Sequence, residues 1–152
     1  MRKLLLATVV ALAWFGAMVA QVSAKPAEEV LRTWYQLVLE LVRHTPTYSP
    51  PVASRSFAYL GVTAFEAAAT GSGEMQSLAG QLNGLTPAPQ REAGKTYDEA
   101  AVLQAAMAFA VQNFFENTGP TGQRAVASLE AKLRSDVTAG LPADVAVRSE
   151  EY

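Results

Sequence analysis

The sequence predicts an all-α protein, a bundle of about four long helices plus a short helical loop. Apolar residues recur at three- and four-residue spacing over several long stretches, which is the pattern of amphipathic helices. These stretches begin or end at proline, glycine or capping residues. No stretch shows the strict alternation of a half-buried strand. Helices that bury their apolar faces against other helices form a bundle.

The first 24 residues have the pattern of a secretory signal peptide. Arg2 and Lys3 form a positive start, Leu4 to Ala20 is an uncharged apolar run, and Val22-Ser23-Ala24 supplies the small residues of a cleavage site. We predict cleavage after Ala24 and a periplasmic or extracellular product with no stable membrane anchor. The alternative is a retained anchor, because the apolar run is close to the minimum of about 17 residues that span a bilayer.

The predicted mature chain, residues 25–152, is mildly acidic and contains no cysteine. Without Arg2 and Lys3, the 12 Lys and Arg residues become 10 against 14 Asp and Glu, a formal charge of −4. The sequence contains no basic stripe of the kind that binds a phosphate backbone, so we expect no nucleic-acid partner. No disulfide stabilises the core, so stability must come from helix packing.

The first predicted helix covers residues 27–43. Its polar side chains follow one narrow stripe at three- and four-residue spacing: Glu29, Arg32, Gln36, Glu40 and Arg43. The remaining faces are mostly apolar, so we expect this helix to be largely buried among other helices. Thr45-Pro46 ends it, because the residue before a proline is pushed out of the helical region.

The second predicted helix runs from Pro50 to about Ala69. Ser49 is its candidate N-cap, and proline is well suited to a first helical position. The helix stops at Thr70-Gly71. Four of its residues recur at spacings of four, three and four, and we expect this stripe to face the interior: Arg55, Tyr59, Val62 and Glu66.

Residues 71–95 contain five glycines and two prolines, and we interpret them as an ordered loop. A connection of this length is usually either functional or disordered. Within it, Ser77 to Leu85 is amphipathic and predicts about two helical turns. We expect the apolar residues of the loop to pack against the bundle: Met75, Leu78, Leu82 and Leu85.

Two further long helices follow. Thr96 and Glu99 fit a capping box, and the helix they start continues to about Glu116. This third helix is rich in alanine and phenylalanine, a combination suited to close contact with bulky neighbours: Ala101, Ala105, Ala108, Phe109 and Phe115.

The fourth helix is predicted over residues 121–139, after a turn at Asn117 to Gly122, and Gly140 ends it. We expect four of its side chains to point inward: Val126, Leu129, Leu133 and Val137. Three should point outward: Arg124, Lys132 and Arg134. Pro142 and Asp144 then start another helix that has no closing residue before Tyr152, so we expect this chain to be the front part of a larger helical fold.

Most catalytic templates are excluded by counting residue types. A zinc site needs three or four ligands, but the chain has no cysteine and its single histidine is His44. A Ser-His-Asp triad would need the same residue. We interpret His44 as a capping or surface residue at the end of the first helix. Gly71-Ser72-Gly73 does not fit a dinucleotide-binding fingerprint, because Gln76 replaces the last glycine and no strand precedes it.

Arg55 and Glu66 are the polar pair of most interest. They lie 11 residues apart on the second helix, about 16 Å along its axis, so they cannot bond each other. If buried, each needs a partner from another element, because an unpaired buried charge is costly. We favour structural hydrogen bonding over a catalytic role for both, and the same holds for Tyr48, Tyr97 and Asn113.

Several segments carry a resemblance to a known family. Residues 44–62 read HTPTYSPPVASRSFAYLGV, Phe65-Glu66-Ala67 follows, residues 77–85 read SLAGQLNGL, and Tyr97-Asp98 comes later. Together they resemble the N-terminal helical region of exported bacterial vanadium-dependent haloperoxidase-like proteins. These proteins share a superfamily with type 2 phosphatidic acid phosphatases. The resemblance covers most of residues 30–149 and lies in scaffold segments rather than in the family's catalytic motifs.

The resemblance implies a larger helical protein in which vanadate or phosphate is bound by a lysine, two arginines, a Ser-Gly-His segment and a second histidine in the later half. This chain has no Arg-Pro and no Ser-Gly-His sequence, and no histidine follows Arg55. We therefore predict no catalytic, cofactor-binding or metal-binding residue in it. Vanadate or phosphate is expected only in a full-length family member.

Three hypotheses follow for function. The first is a scaffold, the N-terminal part of a haloperoxidase- or acid-phosphatase-like protein that lacks the catalytic half and is inactive alone. The second is a small exported helical module for protein–protein interaction, and the third is a nonfunctional remnant. In the first case we expect the wide apolar face of the first helix and the Ala/Phe face of the third to be incompletely covered. We then expect self-association, or packing with a missing C-terminal helical half, because uncovered apolar faces favour association.

Overall fold

The computed structural model describes residues 25–152, and the predicted signal peptide and its cleavage site lie outside these residues. The described chain forms five helices: α1 (Ala27–His44), α2 (Pro50–Ala69), α3 (Glu99–Phe114), α4 (Gly119–Thr138) and α5 (Ala143–Glu151). Within residues 25–152 there is no strand, and one isolated β-bridge joins Ala79 to Leu82. The predicted all-α bundle is confirmed.

Helix α3 is the centre of the bundle and contacts each of the other four helices. Most of its sequence is apolar on all sides; its charged and amide residues are Glu99 and Gln104 in the first two turns and Gln112 and Asn113 in the last. A helix of this kind is stable only when neighbours cover it on several sides. Its buried residues accordingly face in different directions: Ala100, Ala101, Val102, Leu103, Gln104, Met107, Ala108, Ala110 and Val111.

Helix α1 packs against α3 and α4 through Val30, Trp34, Val38 and Leu41. Its predicted polar stripe is exposed along the whole helix, which confirms the orientation inferred from periodicity. The indole Nε1–H of Trp34 donates a 2.7 Å hydrogen bond to Oε1 of Gln104 in the core. This bond joins α1 to α3 and satisfies two polar groups that water does not reach.

Helix α4 presents its apolar face to the core as predicted. Val126, Leu133 and Val137 are buried and Leu129 is partly buried, whereas the three predicted cationic residues are exposed. The helix begins at Gly119, inside the predicted turn, because Pro120 fits the first helical turn. Gly140 follows the helix with a φ of 80°, the left-handed conformation that commonly terminates helices.

The predicted capping box of α3 is wrong. The cap is Asp98, whose Oδ1 accepts a 2.9 Å hydrogen bond from the backbone N–H of Ala101, rather than Thr96. Glu99 is instead turned toward Arg91. Ser49 occupies the N-cap position of α2 as predicted, but its side chain makes no capping hydrogen bond. The two prolines that follow Ser49 have no backbone N–H, so few donors remain that its side chain could cap.

The long α2–α3 loop, residues 70–98, contains no helix. The two helical turns predicted over Ser77 to Leu85 are replaced by a tight turn in which the N–H groups of Gln81 and Leu82 both donate to the carbonyl of Leu78. Gly80 and Gly84 have φ values of 80° and 78°, which interrupt a right-handed helix. Met75, Leu78 and Leu85 are partly buried as expected, but Leu82 is exposed.

The four helices around α3 follow one another in space as α2, α1, α4 and α5. The stacked rings of Tyr35 and Phe57, with centroids 6.3 Å apart, join α1 to α2. Helix α1 also contacts α4, and Arg134 Nε lies 3.3 Å from Oε1 of Glu150 between α4 and α5. The remaining sector, between α5 and α2, contains no helix among residues 25–152.

Candidate functional site

The residue types that suggested chemistry are dispersed over the structure. His44 is exposed at the end of α1, where its Nε2 lies 3.4 Å from Oε2 of Glu40, as expected for a surface residue. Within residues 25–152, no three His, Cys, Asp or Glu side chains converge as metal ligands. None of the helices in this part of the chain is long and apolar enough to cross a bilayer.

The expectation that Arg55, Tyr59, Val62 and Glu66 share an inward stripe is wrong for two of them. Arg55 is exposed and Tyr59 is 51% exposed, while Val62 is partly buried and Glu66 is buried. The face of α2 that meets α3 is displaced by about one residue and consists of small or aliphatic side chains: Ala53, Ser56, Leu60 and Ala64. The apolar edge that includes Tyr59 and Val62 therefore borders the core instead of filling it.

Glu66 finds its partners in the α2–α3 loop. Its carboxylate accepts two 2.7 Å hydrogen bonds, one from the hydroxyl of Ser77 and one from the backbone N–H of Leu78. These bonds hold the start of the loop against the end of α2. Arg55 and Glu66 do not contact each other, as their separation along the helix predicted.

The other polar candidates are structural, in agreement with the interpretation favoured from the sequence. The hydroxyl of Tyr48 donates a 3.2 Å hydrogen bond to the carbonyl of Phe114. Burial raises the pKa of the Tyr48 phenol. Asn113 Nδ2 donates to the carbonyl of Phe109 on the same helix, and the hydroxyl of Tyr97 accepts from the N–H of Glu92 in the loop.

An apolar groove of about 440 Å³ occupies the helix-free sector over α3. Its walls are α2 from Val62 to Thr70, the loop segment 85–89, and Glu150 and Tyr152 at the end of the chain, and its floor is α3 from Val102 to Phe109. The floor contains alanine residues, whose short side chains leave space above the helix. Phe109 stands at the edge of the groove with 67% of its surface exposed, although it belongs to the central helix.

A cluster around Arg91 lies beside the groove and shares Tyr152 with its lining. The guanidinium forms two hydrogen bonds with the carboxylate of Glu99, at 2.5 and 2.8 Å, and lies 5.2 and 5.5 Å from the ring centroids of Tyr97 and Tyr152. The hydrogen bonds that Arg91 donates to Glu99 raise the pKa of Arg91 above its usual value. The cluster joins the loop to both α3 and the end of α5.

Gly71 explains how this cluster packs against the end of α2. A Cβ at Gly71 would lie 2.7 Å from Nη2 of Arg91 and would also collide with the carboxylate of Glu99. Glycine at this position therefore serves close packing, which gives a structural role to the first residue of the Gly-Ser-Gly segment.

The sequence predicted an incompletely covered Ala/Phe face on this helix, but not the groove or its position. Phe109 lies in the middle of a largely apolar helix, where its spacing is that of a core residue. The arrangement supports binding of an apolar element, because open apolar surface next to a buried core favours association. Two carboxylates, Glu66 and Glu150, line the same groove.

Comparisons of the chain with protein-family models, with curated proteins and with solved structures found no match. The groove and its surroundings are therefore the basis for a functional conclusion.

Proposed function

We propose that residues 25–152 are the helical scaffold at the N-terminal side of an exported vanadium-dependent haloperoxidase-like protein. In this proposal the scaffold carries no catalytic residue, and a further helical part of the protein supplies the groups that bind vanadate or phosphate. The segments that carry the resemblance form the link after α1, most of α2 and parts of the loop that follows it. Their task is to hold α3 so that another helical unit packs onto it.

One observation supports this proposal most strongly. Among residues 25–152, the central helix is covered by neighbours on all sides except one, and on that side an apolar groove and the exposed rings of Tyr59 and Phe109 remain open. A core helix with an uncovered apolar side is the arrangement expected where a bundle continues into a further element. We expect the exported protein to self-associate in the absence of that element, and Phe109→Ser should reduce the association measured by light scattering.

The chemical part of the proposal is tested with the exported protein. Equilibrium dialysis against orthovanadate should show no stoichiometric retention. Assays of halide oxidation with hydrogen peroxide and of phosphate-monoester hydrolysis should show no turnover. Tight retention of vanadate or robust turnover would refute the assignment of a non-catalytic scaffold.

A second candidate is a small exported module that binds a separate protein, and the same open groove favours it. The coding DNA beyond Tyr152 distinguishes the two. An open frame that encodes Pro-Ser-Gly-His supports the haloperoxidase-like scaffold, whereas a genuine stop supports the interaction module. A remnant without function would share the stop but would unfold readily or precipitate.

A further inference from the structure

The open sector has the dimensions of a helix rather than of a small ligand. On α2, Val52 and Tyr59 are exposed and precede the groove wall from Val62 to Thr70. From Val52 to Thr70 this edge is about 27 Å long at 1.5 Å per residue. A small molecule would occupy only the 440 Å³ groove and would leave Tyr59 and the far side of Phe109 exposed.

The floor of the groove permits close approach of a backbone. Ala105 and Ala106 are the floor residues of α3 between Val102 and Phe109, and both are only partly buried. The distance between packed helices depends on the side chains at the contact and is smallest where these are short. The alanines therefore accept an apolar residue of a neighbouring helix, with Phe109 as one flank and α2 as the other.

The charged side chains that line the groove are all acidic. Glu66 and Glu150 line it, and no Lys, Arg or His of the described chain does so. Glu150 is already paired with Arg134. Glu66 is only 9% exposed and accepts two uncharged donors, and none of the ion pairs within residues 25–152 involves it. A carboxylate accepts roughly four hydrogen bonds, so Glu66 retains acceptor capacity for a cation.

We propose that an amphipathic helix of the further helical part of this protein fills the sector between α5 and α2, and that this helix brings a Lys or Arg side chain to Glu66. Its apolar residues, spaced at i, i+4 and i+7, cover Tyr59, Phe109 and the alanine floor. The inference rests on the proposed scaffold function, in which this helix belongs to the further helical part of the protein. It adds the position of the helix and the charge that it carries.

Fluorescence anisotropy with a synthetic peptide tests the inference. The probe is an 18-residue amphipathic helix with leucine anchors at i, i+4 and i+7 and one lysine at the edge of its apolar face; a second peptide has glutamine in place of the lysine. The exported protein should bind the lysine peptide at least about tenfold more tightly, as expected for a hydrogen bond to a charged group. With Glu66→Gln, the difference between the peptides should fall below about twofold.

Two variants locate the binding site, and a third variant serves as control. Ala105→Trp fills the groove and should abolish binding, and Phe109→Ser, at an exposed position, should weaken it at least about tenfold. Ala127→Trp, on the exposed face of α4, should bind like the wild type. Circular dichroism establishes whether each variant is folded. If Ala105→Trp does not fold, Phe109→Ser still tests the binding site. Absence of binding, equal binding of both peptides, or full binding by Phe109→Ser would overturn the inference.

The outcomes also separate this inference from the proposed function. Lysine-dependent binding without a Pro-Ser-Gly-His segment downstream would support the docking helix and contradict the haloperoxidase-like scaffold. A downstream frame with that segment, together with peptides that bind equally, would support the scaffold and contradict the role of Glu66.

Discussion

Two phenylalanines, one within the central helix and one at its C-cap, provide a direct measure of whether the sector over α3 is open. Phe109 is 67% exposed, whereas Phe115, at the end of the same helix, is 1% exposed. Phe115 packs against Tyr48 and Phe57, with ring centroids 5.4 and 6.0 Å away. Substitution by alanine removes the same atoms at both positions, so any difference in stability reports the surroundings.

The expected magnitudes differ clearly. A buried phenylalanine replaced by alanine costs roughly 3–5 kcal/mol, including the cavity that remains. Phe109 buries about a third of its surface, so its loss costs about 1 kcal/mol of transfer free energy. Alanine also favours the helix over phenylalanine by roughly 0.5 kcal/mol. We therefore expect Phe115→Ala to lower the free energy of unfolding by about 3–5 kcal/mol and Phe109→Ala by less than about 1 kcal/mol.

Urea unfolding followed by circular dichroism measures both changes, with the m-value as control for a change in the unfolded state. A loss for Phe109→Ala as large as that for Phe115→Ala would show that the sector is covered in solution. That result would refute the open groove and the docking inference built on it. Dilution of the sample distinguishes coverage by a second copy, because its contribution to stability depends on concentration.

Three further predictions concern the supports of the bundle. Gly71→Ala should lower the free energy of unfolding by roughly 0.5–1 kcal/mol, because its Cβ displaces the side-chain ends of Arg91 and Glu99 and weakens their ion pair. Gly73→Ala, whose Cβ would meet nothing within 4 Å, should change the free energy of unfolding by less than about 0.5 kcal/mol. Urea unfolding measures both variants, and equal effects would contradict the collision. Gln104→Leu should cost about 1–3 kcal/mol in urea unfolding, because it leaves the buried N–H of Trp34 without an acceptor, and an unchanged midpoint would show that another acceptor takes its place. Burial raises the pKa of Tyr48 above its ordinary 10.0, so its contribution to stability is full below pH 10.0 and is lost as pH rises through the native pKa. Tyr48→Phe should remove part of this alkaline loss, and parallel pH–stability curves for variant and wild type above that pH would exclude the contribution.

The sequence determined the helices themselves. Periodic apolar residues and the positions of Pro50, Pro46 and Gly140 located α1, α2 and α4 closely, because these signals act within one or two turns of the chain. The inward and outward faces of α1 and α4 also followed from periodicity. Each of these helices has one clearly polar side, and a polar side must face water.

Periodicity was insufficient where a helix has no such contrast. Helix α2 carries small apolar residues on several faces, and the stripe through Arg55 and Glu66 looked as suitable for the interior as the stripe that α3 contacts. Which stripe is buried depends on the shape and position of α3, which follows α2 by 29 residues of loop. In the structure Arg55 lies at the surface, and Glu66 accepts hydrogen bonds from the loop.

The groove was decided by tertiary structure alone. The sequence shows that α3 is apolar on every side, and from this it follows that neighbours must cover it. It does not show how many neighbours residues 25–152 supply or on which side one is missing. Those properties depend on the order of α2, α1, α4 and α5 around α3, because contacts between distant segments are set by packing rather than by the local pattern that forms each helix.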